Sequence, residues 1–100
     1  MVLVYITCKD NKEAEKISLH LLKKRLIACS NIIPTKSLYR WEDKIVKVKE
    51  TVIIAKTNNK NYRTAVNEVK RIHSYEIPCI VKIDAKAVKD YECWANNELK

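Results

Sequence analysis

The chain contains no glycine in 100 residues. The phosphate-cradling Walker loop and the tight turn of the dinucleotide-binding fold both need glycine where the backbone meets the ligand, so neither has material here. An EF-hand loop, a nucleophile elbow and the phosphate loop of an acylphosphatase fall for the same reason. Turns and helix C-caps must be built from Asn, Asp or Ser.

Residues 1–100 are enough for one domain. A chain of this size buries roughly 65% of its unfolded surface, which supports one core. No run approaches the ~18–20 apolar residues that span a bilayer, and the N-terminal MVLVYITCKD has no basic lead-in. These features predict a cytoplasmic protein without a membrane partner. The net charge is +8, yet the 20 basic residues are spread along the whole chain. The densest run, Lys23-Lys24-Arg25, suits the last turn of a helix. No aromatic RNA-binding pattern, zinc-finger spacing or one-sided basic helix appears, so nucleic acid is not read as a partner. The four cysteines, Cys8, Cys29, Cys79 and Cys93, form no C-x-x-C pair. Free thiols packed as small hydrophobes are the simplest reading.

Val2 to Thr7 is apolar and β-branched, hence a strand. Asp10 and Glu13 stand at capping-box spacing. Ala14, Ile17, Leu21, Leu22 and Leu26 follow at steps of three or four, predicting a helix to about Leu26. Ala28 to Trp41 reads as extended, with Pro34 marking a bulge or an edge. Glu42-Asp43-Lys44 is a tight turn, and Ile45 to Thr57 a second long strand. Asn58 to Asn61 supplies caps for a helix whose buried face is Tyr62, Ala65, Val66, Val69 and Ile72. Cys79 to Ile83 is the last strand, and Val88, Tyr91, Trp94, Ala95 and Leu99 mark a closing helix. The order β-α-β-β-α-β plus a C-terminal helix predicts an α+β, ferredoxin-like fold with an antiparallel sheet.

The hairpin around Asp43 has two long arms. At ~3.3 Å per residue each arm reaches about 40 Å, whereas a domain of this length has a radius of gyration of about 13 Å. The hairpin must bend or project, and a projecting strand pair invites pairing with another copy. Val52-Ile53-Ile54-Ala55 also needs cover on both faces. An oligomer is expected.

Three stretches, Arg25-Leu26-Ile27-Ala28-Cys29-Ser30-Asn31-Ile32-Ile33-Pro34, Ser37-Leu38-Tyr39-Arg40-Trp41 and His73-Ser74-Tyr75-Glu76-Ile77-Pro78, resemble the CutA family of divalent-cation tolerance proteins in order and spacing. The resemblance implies a homotrimer joined through its long hairpins around Asp43. It also implies a link to divalent-metal tolerance and copper binding, an architectural likeness to the PII signalling proteins, and no settled catalytic activity. Two departures stand out. Asp43 replaces the family's common turn glycine, and Cys79 replaces a glutamate after the last proline, with Ser74 in place of the first.

The topology places His73, Cys79 and Cys8 at one end of the subunit, with Cys29 at the other. An imidazole with two thiolates suits Cu(I) or Zn(II), so these three are the candidate metal ligands. The competing reading is a helix-capping histidine beside packed thiols. By resemblance, Tyr39, Trp41, Lys44, Glu50, Lys56, Tyr75 and Glu76 gather near subunit boundaries, as an inter-subunit cleft or as interface packing. Glu50 interrupts an apolar alternation, so a buried partner such as a lysine is expected for it. The chain is read as non-enzymatic. Copper or another divalent cation is the expected ligand, with no cofactor needed for folding. The alternatives are a PII-like module binding a small anion through Lys44 and Lys56, or a trimeric scaffold for another protein.

Overall fold

The computed structural model describes residues 1–100. Its elements are β1 (Val2–Cys8), α1 (Asn11–Lys23), β2 (Cys29–Trp41), β3 (Lys44–Thr57), α2 (Asn59–Ile72), β4 (Ile80–Asp84) and α3 (Lys89–Glu98). The strands form one antiparallel sheet in the order β2-β3-β1-β4, the ferredoxin-like arrangement. Strand β1 shows why the sequence commits to this sheet. Val2, Val4, Ile6 and Cys8 are buried, while the residues between them are only half-buried. The buried set meets Ile17 and Leu21 of α1 and Ala65 and Val69 of α2, so both helices cover the same face. Truncating Ile6 to alanine there costs about 2–5 kcal/mol, because removed contacts and a residual cavity add.

Helix α1 ends at Lys23, before the expected Leu26. Arg25 takes φ 56°, its N–H donates to Leu22 O, and the Leu26 N–H donates to Leu21 O. This is a Schellman ending with arginine where glycine is usual. Leu26 continues the helical spacing because it folds back onto the core. Helix α2 starts as expected, the Asn58 side chain accepting the Asn61 N–H at 3.0 Å.

Hairpin β2–β3 is continuous from Cys29 opposite Lys56 to Trp41 opposite Lys44. The unbroken register excludes a bulge at Pro34, which is tolerated because β2 is the edge strand. The turn has two residues, Glu42 and Asp43, with φ of 48° and 63°. Two positive φ values match the twist of the flanking strands. The hairpin lengthens the molecule to 45 × 25 × 20 Å. Its distal part leaves Leu38, Tyr39, Trp41 and Ile45 exposed. Strand β4 begins at Ile80, one residue after the expected Cys79. Helix α3 buries Ala95, and Leu99 at its C-cap, against Ala28, while Val88 and Trp94 of its expected face are exposed.

Candidate functional site

Cys8 ends β1 on the helix-covered face and has no solvent exposure. Asp10 caps α1 just beyond it, accepting the Glu13 N–H at 2.8 Å. The Glu13 carboxylate turns back into the protein. One oxygen accepts the Lys9 N–H at 3.0 Å and the other the Ser74 N–H at 2.9 Å, across 61 positions of sequence. Burial by itself raises the Glu13 pKa, but hydrogen bonds from Ser74 and the Lys9 backbone, with His73 nearby, bring it below the usual carboxylate value. His73 directly follows α2. Its Nδ1 accepts the Tyr75 N–H at 3.0 Å, so the ring proton sits on Nε2 and is donated to Thr7 O at 2.8 Å.

Ligand atoms of Cys8, Glu13 and His73 lie within 4.8 Å of one another. The set offers sulfur, oxygen and nitrogen, a mixture that suits zinc or copper. Around one tetrahedral ion the donors would stand roughly 3.3–3.8 Å apart, given bonds of ~2.0–2.3 Å, a spacing inside the 4.8 Å within which the three atoms lie. Two costs are visible. The Cys8 thiol is pushed up to about 12 by burial, with Glu13, Asp10 and Glu50 adding to the effect, so a metal must displace a firmly held proton. Both ring nitrogens of His73 are already hydrogen-bonded, so a metal must also displace Tyr75 N–H or Thr7 O. The residues fit an ion in kind and position, and proton and hydrogen-bond competition weakens the fit.

Cys79 does not join them. Its backbone oxygen accepts the Thr7 N–H at 3.2 Å, so it lies beside β1. But its side chain shares the Thr7 face of the sheet, opposite the face of Cys8. Adjacent residues in a strand point to opposite sides, and shared proximity to one strand end therefore does not bring these thiols together. Glu13 takes the third position. Cys29 stands at the other end of the sheet, as its place at the start of β2 requires.

The opposite face carries a cleft of about 820 Å³. Tyr5 and Thr7 of β1, Tyr39 and Trp41 of β2, Glu50 of β3 and the segment Ser74–Ile77 contribute to it, with Cys79 at its edge. The segment lies past the end of β1, where Glu50 is left without a β1 neighbour. Glu50 is 7% exposed and accepts the Tyr75 hydroxyl at 2.6 Å. The buried partner expected for Glu50 is thus a tyrosine hydroxyl rather than a lysine. Burial, that hydrogen bond and the Glu50 charge raise the Tyr75 pKa, which keeps its hydroxyl a donor. Glu76 also lines the cleft.

Lys44 and Lys56 stand apart from it. Lys44 sits beside the hairpin turn. Lys56 lies at the far end of β3, donating to Asn31 Oδ1 and to Cys29 Sγ, with its ammonium 5.8 Å from the Tyr91 ring centre. Lys36 is the one lysine among the lining residues. Glu13 was legible in the sequence only as a capping residue, since nothing local signals the distant Ser74 N–H.

Residues 2–98 match the family model described as CutA1 divalent ion tolerance protein. A divalent-cation tolerance protein CutA from Archaeoglobus fulgidus is 39% identical over 98 residues, spanning 97% of this chain and 96% of the relative. A protein of the same name from Pyrococcus horikoshii is 40% identical over 101 residues, spanning 100% and 99%. Among solved structures, Pyrococcus horikoshii CutA1 superposes with a TM-score of 0.95 at 39% identity, covering 100% of this chain and 99% of that one. An Archaeoglobus fulgidus structure, described as a periplasmic divalent cation tolerance protein CutA, gives 0.96 at 38% identity and covers 100% of both chains. The chain belongs to the CutA1 divalent ion tolerance family.

Proposed function

We propose that this protein serves divalent-cation tolerance by binding a metal ion weakly and reversibly at Cys8, Glu13 and His73. The observation that carries the reading is the convergence of these three donor atoms within 4.8 Å in a chain of this family. Cys8 supplies the thiolate once its proton is displaced, Glu13 a carboxylate already anionic, and His73 a ring nitrogen freed from its backbone partner. Zinc or copper is the matching class of ion. The protein acts without catalysis, and folding does not depend on the metal, because no buried side-chain nitrogen or oxygen lacks a partner.

The protein works as a homotrimer in this reading. The projecting hairpin and the exposed Leu38, Trp41 and Ile45 near its tip support self-association. The trimeric number follows the family resemblance. Sedimentation equilibrium tests it, and a monomer at micromolar concentration would remove it. All four cysteines are free, which suits a reducing cytoplasm.

Titration of the reduced protein with Cu(I), Cu(II), Zn(II) and Cd(II), followed by calorimetry and thiolate absorption, tests the metal site. Saturable binding with a thiolate band, lost in Cys8→Ala and weakened in His73→Gln, is expected. Binding that survives Cys8→Ala unchanged would return Cys8, Glu13 and His73 to a purely structural role.

A further inference from the structure

We propose that the outward face of the two main helices is a docking surface for double-stranded nucleic acid, gripping its phosphate backbone without reading its sequence. Along the chain the basic residues look evenly spread, but the fold gathers them. Residues 11–25 and 59–72, which form α1 with its ending and α2, hold nine of the 20 basic residues and only three of the 12 acidic ones. These 29 residues carry +6 of the net +8. All nine cations are exposed. The three acids oppose them little. Glu13 turns inward to the Lys9 and Ser74 amides. Glu15 lies on the flank toward β2, beside Leu19 and Ile32. Glu68 is shared by His20, Lys24 and Arg71, so it holds basic groups of both helices side by side.

The cations form two rows. Lys12, Lys16, His20 and Lys24 stand at steps of four along α1 and its C-cap. Lys60, Arg63, Asn67 and Arg71 stand at steps of three or four along α2. Such spacing keeps each row on one side of its helix. Each row is roughly 17–18 Å long at ~1.5 Å per residue, which faces about five phosphates of one strand at ~3.4 Å each. Packed helix axes stand about 8–10 Å apart, so two rows of long side chains reach phosphates on both sides of a groove about 6–12 Å wide. Lys12, Lys16, Lys60 and Arg63 are in no ion pair and are free for phosphate. Backbone contacts of this kind carry no sequence information.

A single strand or a membrane fits less well. The rows hold no phenylalanine, tyrosine or tryptophan on which unpaired bases would stack, and Tyr62, the one tyrosine of the two helices, packs on the core. They hold no apolar side chain to enter a lipid surface, and Leu19 and Leu22 lie on the β2 flank instead. The helices cover one face of the sheet, and the cleft between copies in the trimeric reading lies on the other, so the helix layer stays outside the assembly. Neither row contains Cys8, Glu13 or His73, so the surface stands independently of the metal reading.

The test is fluorescence anisotropy of a labelled DNA duplex of about 20 base pairs, titrated with the full chain in its native oligomeric state. Saturable binding is expected, weakening about a hundredfold between roughly 50 and 200 mM salt, the loss for four phosphates at a slope of about −0.9 each. Lys16→Gln combined with Arg63→Gln removes two exposed, unpaired cations, one from each row. That variant should flatten the salt slope by about two and weaken binding about tenfold at the lower salt. Lys86→Gln combined with Lys89→Gln removes the same charge from outside both helices and should change the slope little. Equal losses in the two double variants would reduce the effect to net charge and overturn the proposal. So would the absence of saturable duplex binding at the lower salt. Tighter binding to phosphatidylglycerol vesicles or to polyglutamate than to the duplex would also overturn it, assigning the face to a membrane or to an acidic protein.

Discussion

The Tyr75 hydroxyl donates to Glu50 Oε2 across 2.6 Å, joining a loop after α2 to the middle of β3. Tyr75 also donates its N–H to His73 Nδ1, and the two rings lie 5.0 Å apart. One residue therefore touches both the thiol-bearing face of the sheet and the cleft on the other. Replacing it with phenylalanine keeps the ring and removes only the hydroxyl. Tyr75→Phe should destabilise the protein by about 2 kcal/mol, because a nearly buried carboxylate loses its hydrogen-bond donor. Urea unfolding at fixed protein concentration measures this. The loss should be much smaller when Tyr75→Phe is made in a Glu50→Gln background, and additive losses would mean that the pair is not coupled.

Acid stability depends on Glu68. Its carboxylate joins the main helices, meeting His20 of α1 at 2.8 Å, Arg71 of α2 at 3.1 Å and Lys24 at 3.6 Å. Hydrogen bonds from Arg71 and then His20 hold its pKa down to about 2, from an ordinary 4.5. A depressed carboxyl stabilises the fold fully above the unfolded value of 4.5, and the contribution is lost as pH falls toward 2. Thermal melts from pH 6 to pH 2 should show a steep decline in Tm below about pH 4.5. Glu68→Gln should lower Tm near pH 6, modestly because the ion pairs are exposed, and its profile should converge with that of the parent as pH falls toward 2, where the parent loses the same contribution. Parallel acid profiles for the two proteins would show that Glu68 carries no pH-dependent stability.

The same residues show what the sequence reveals and what it hides. Strand β1 was legible because its alternation is set by neighbours in sequence, and the caps of Asp10 and Asn58 act over three residues. The long hairpin was legible from two uninterrupted extended arms. The site was legible only in part. His73 and Cys8 were placed at one end by topology, but which face a thiol takes depends on register, and Cys79 emerged opposite. The partners of Glu13 and Glu50 lie 61 and 25 positions away on a loop whose path no local rule dictates. The end of α1 was misjudged because Leu26 keeps a helical spacing after the backbone has left the helix.

That ending gives a third prediction. Arg25 sits at φ 56°, where a Cβ crowds the backbone. Its carbonyl also receives the Lys100 N–H at 3.0 Å, so the geometry is anchored from two sides. Arg25→Gly should keep the Schellman bonds and remove the steric cost, stabilising the protein by about 1 kcal/mol. A raised urea midpoint with an unchanged m-value is the expected result. A lowered midpoint would show that contacts of the arginine side chain outweigh the backbone strain.

The hairpin turn supplies the last. Glu42 and Asp43 both occupy the left-handed region, and the second position is where glycine is favoured and aspartate tolerated. Asp43→Gly relieves the Cβ there and should stabilise by about 0.5–1 kcal/mol, offset in part by the extra freedom of glycine in the unfolded chain. Asp43→Val puts a β-branched residue at φ 63° and should destabilise by about 1–2 kcal/mol. The turn holds the register from Trp41 opposite Lys44 back to Cys29 opposite Lys56, and a one-residue slip of β2 would turn Tyr39 and Trp41 to the other face of the sheet. Asp43→Val should therefore also loosen the Trp41 environment, read as a red shift and greater quenching of tryptophan fluorescence. If Asp43→Val matches the parent in both stability and fluorescence, the strand pairing sets the register alone and the turn merely follows it.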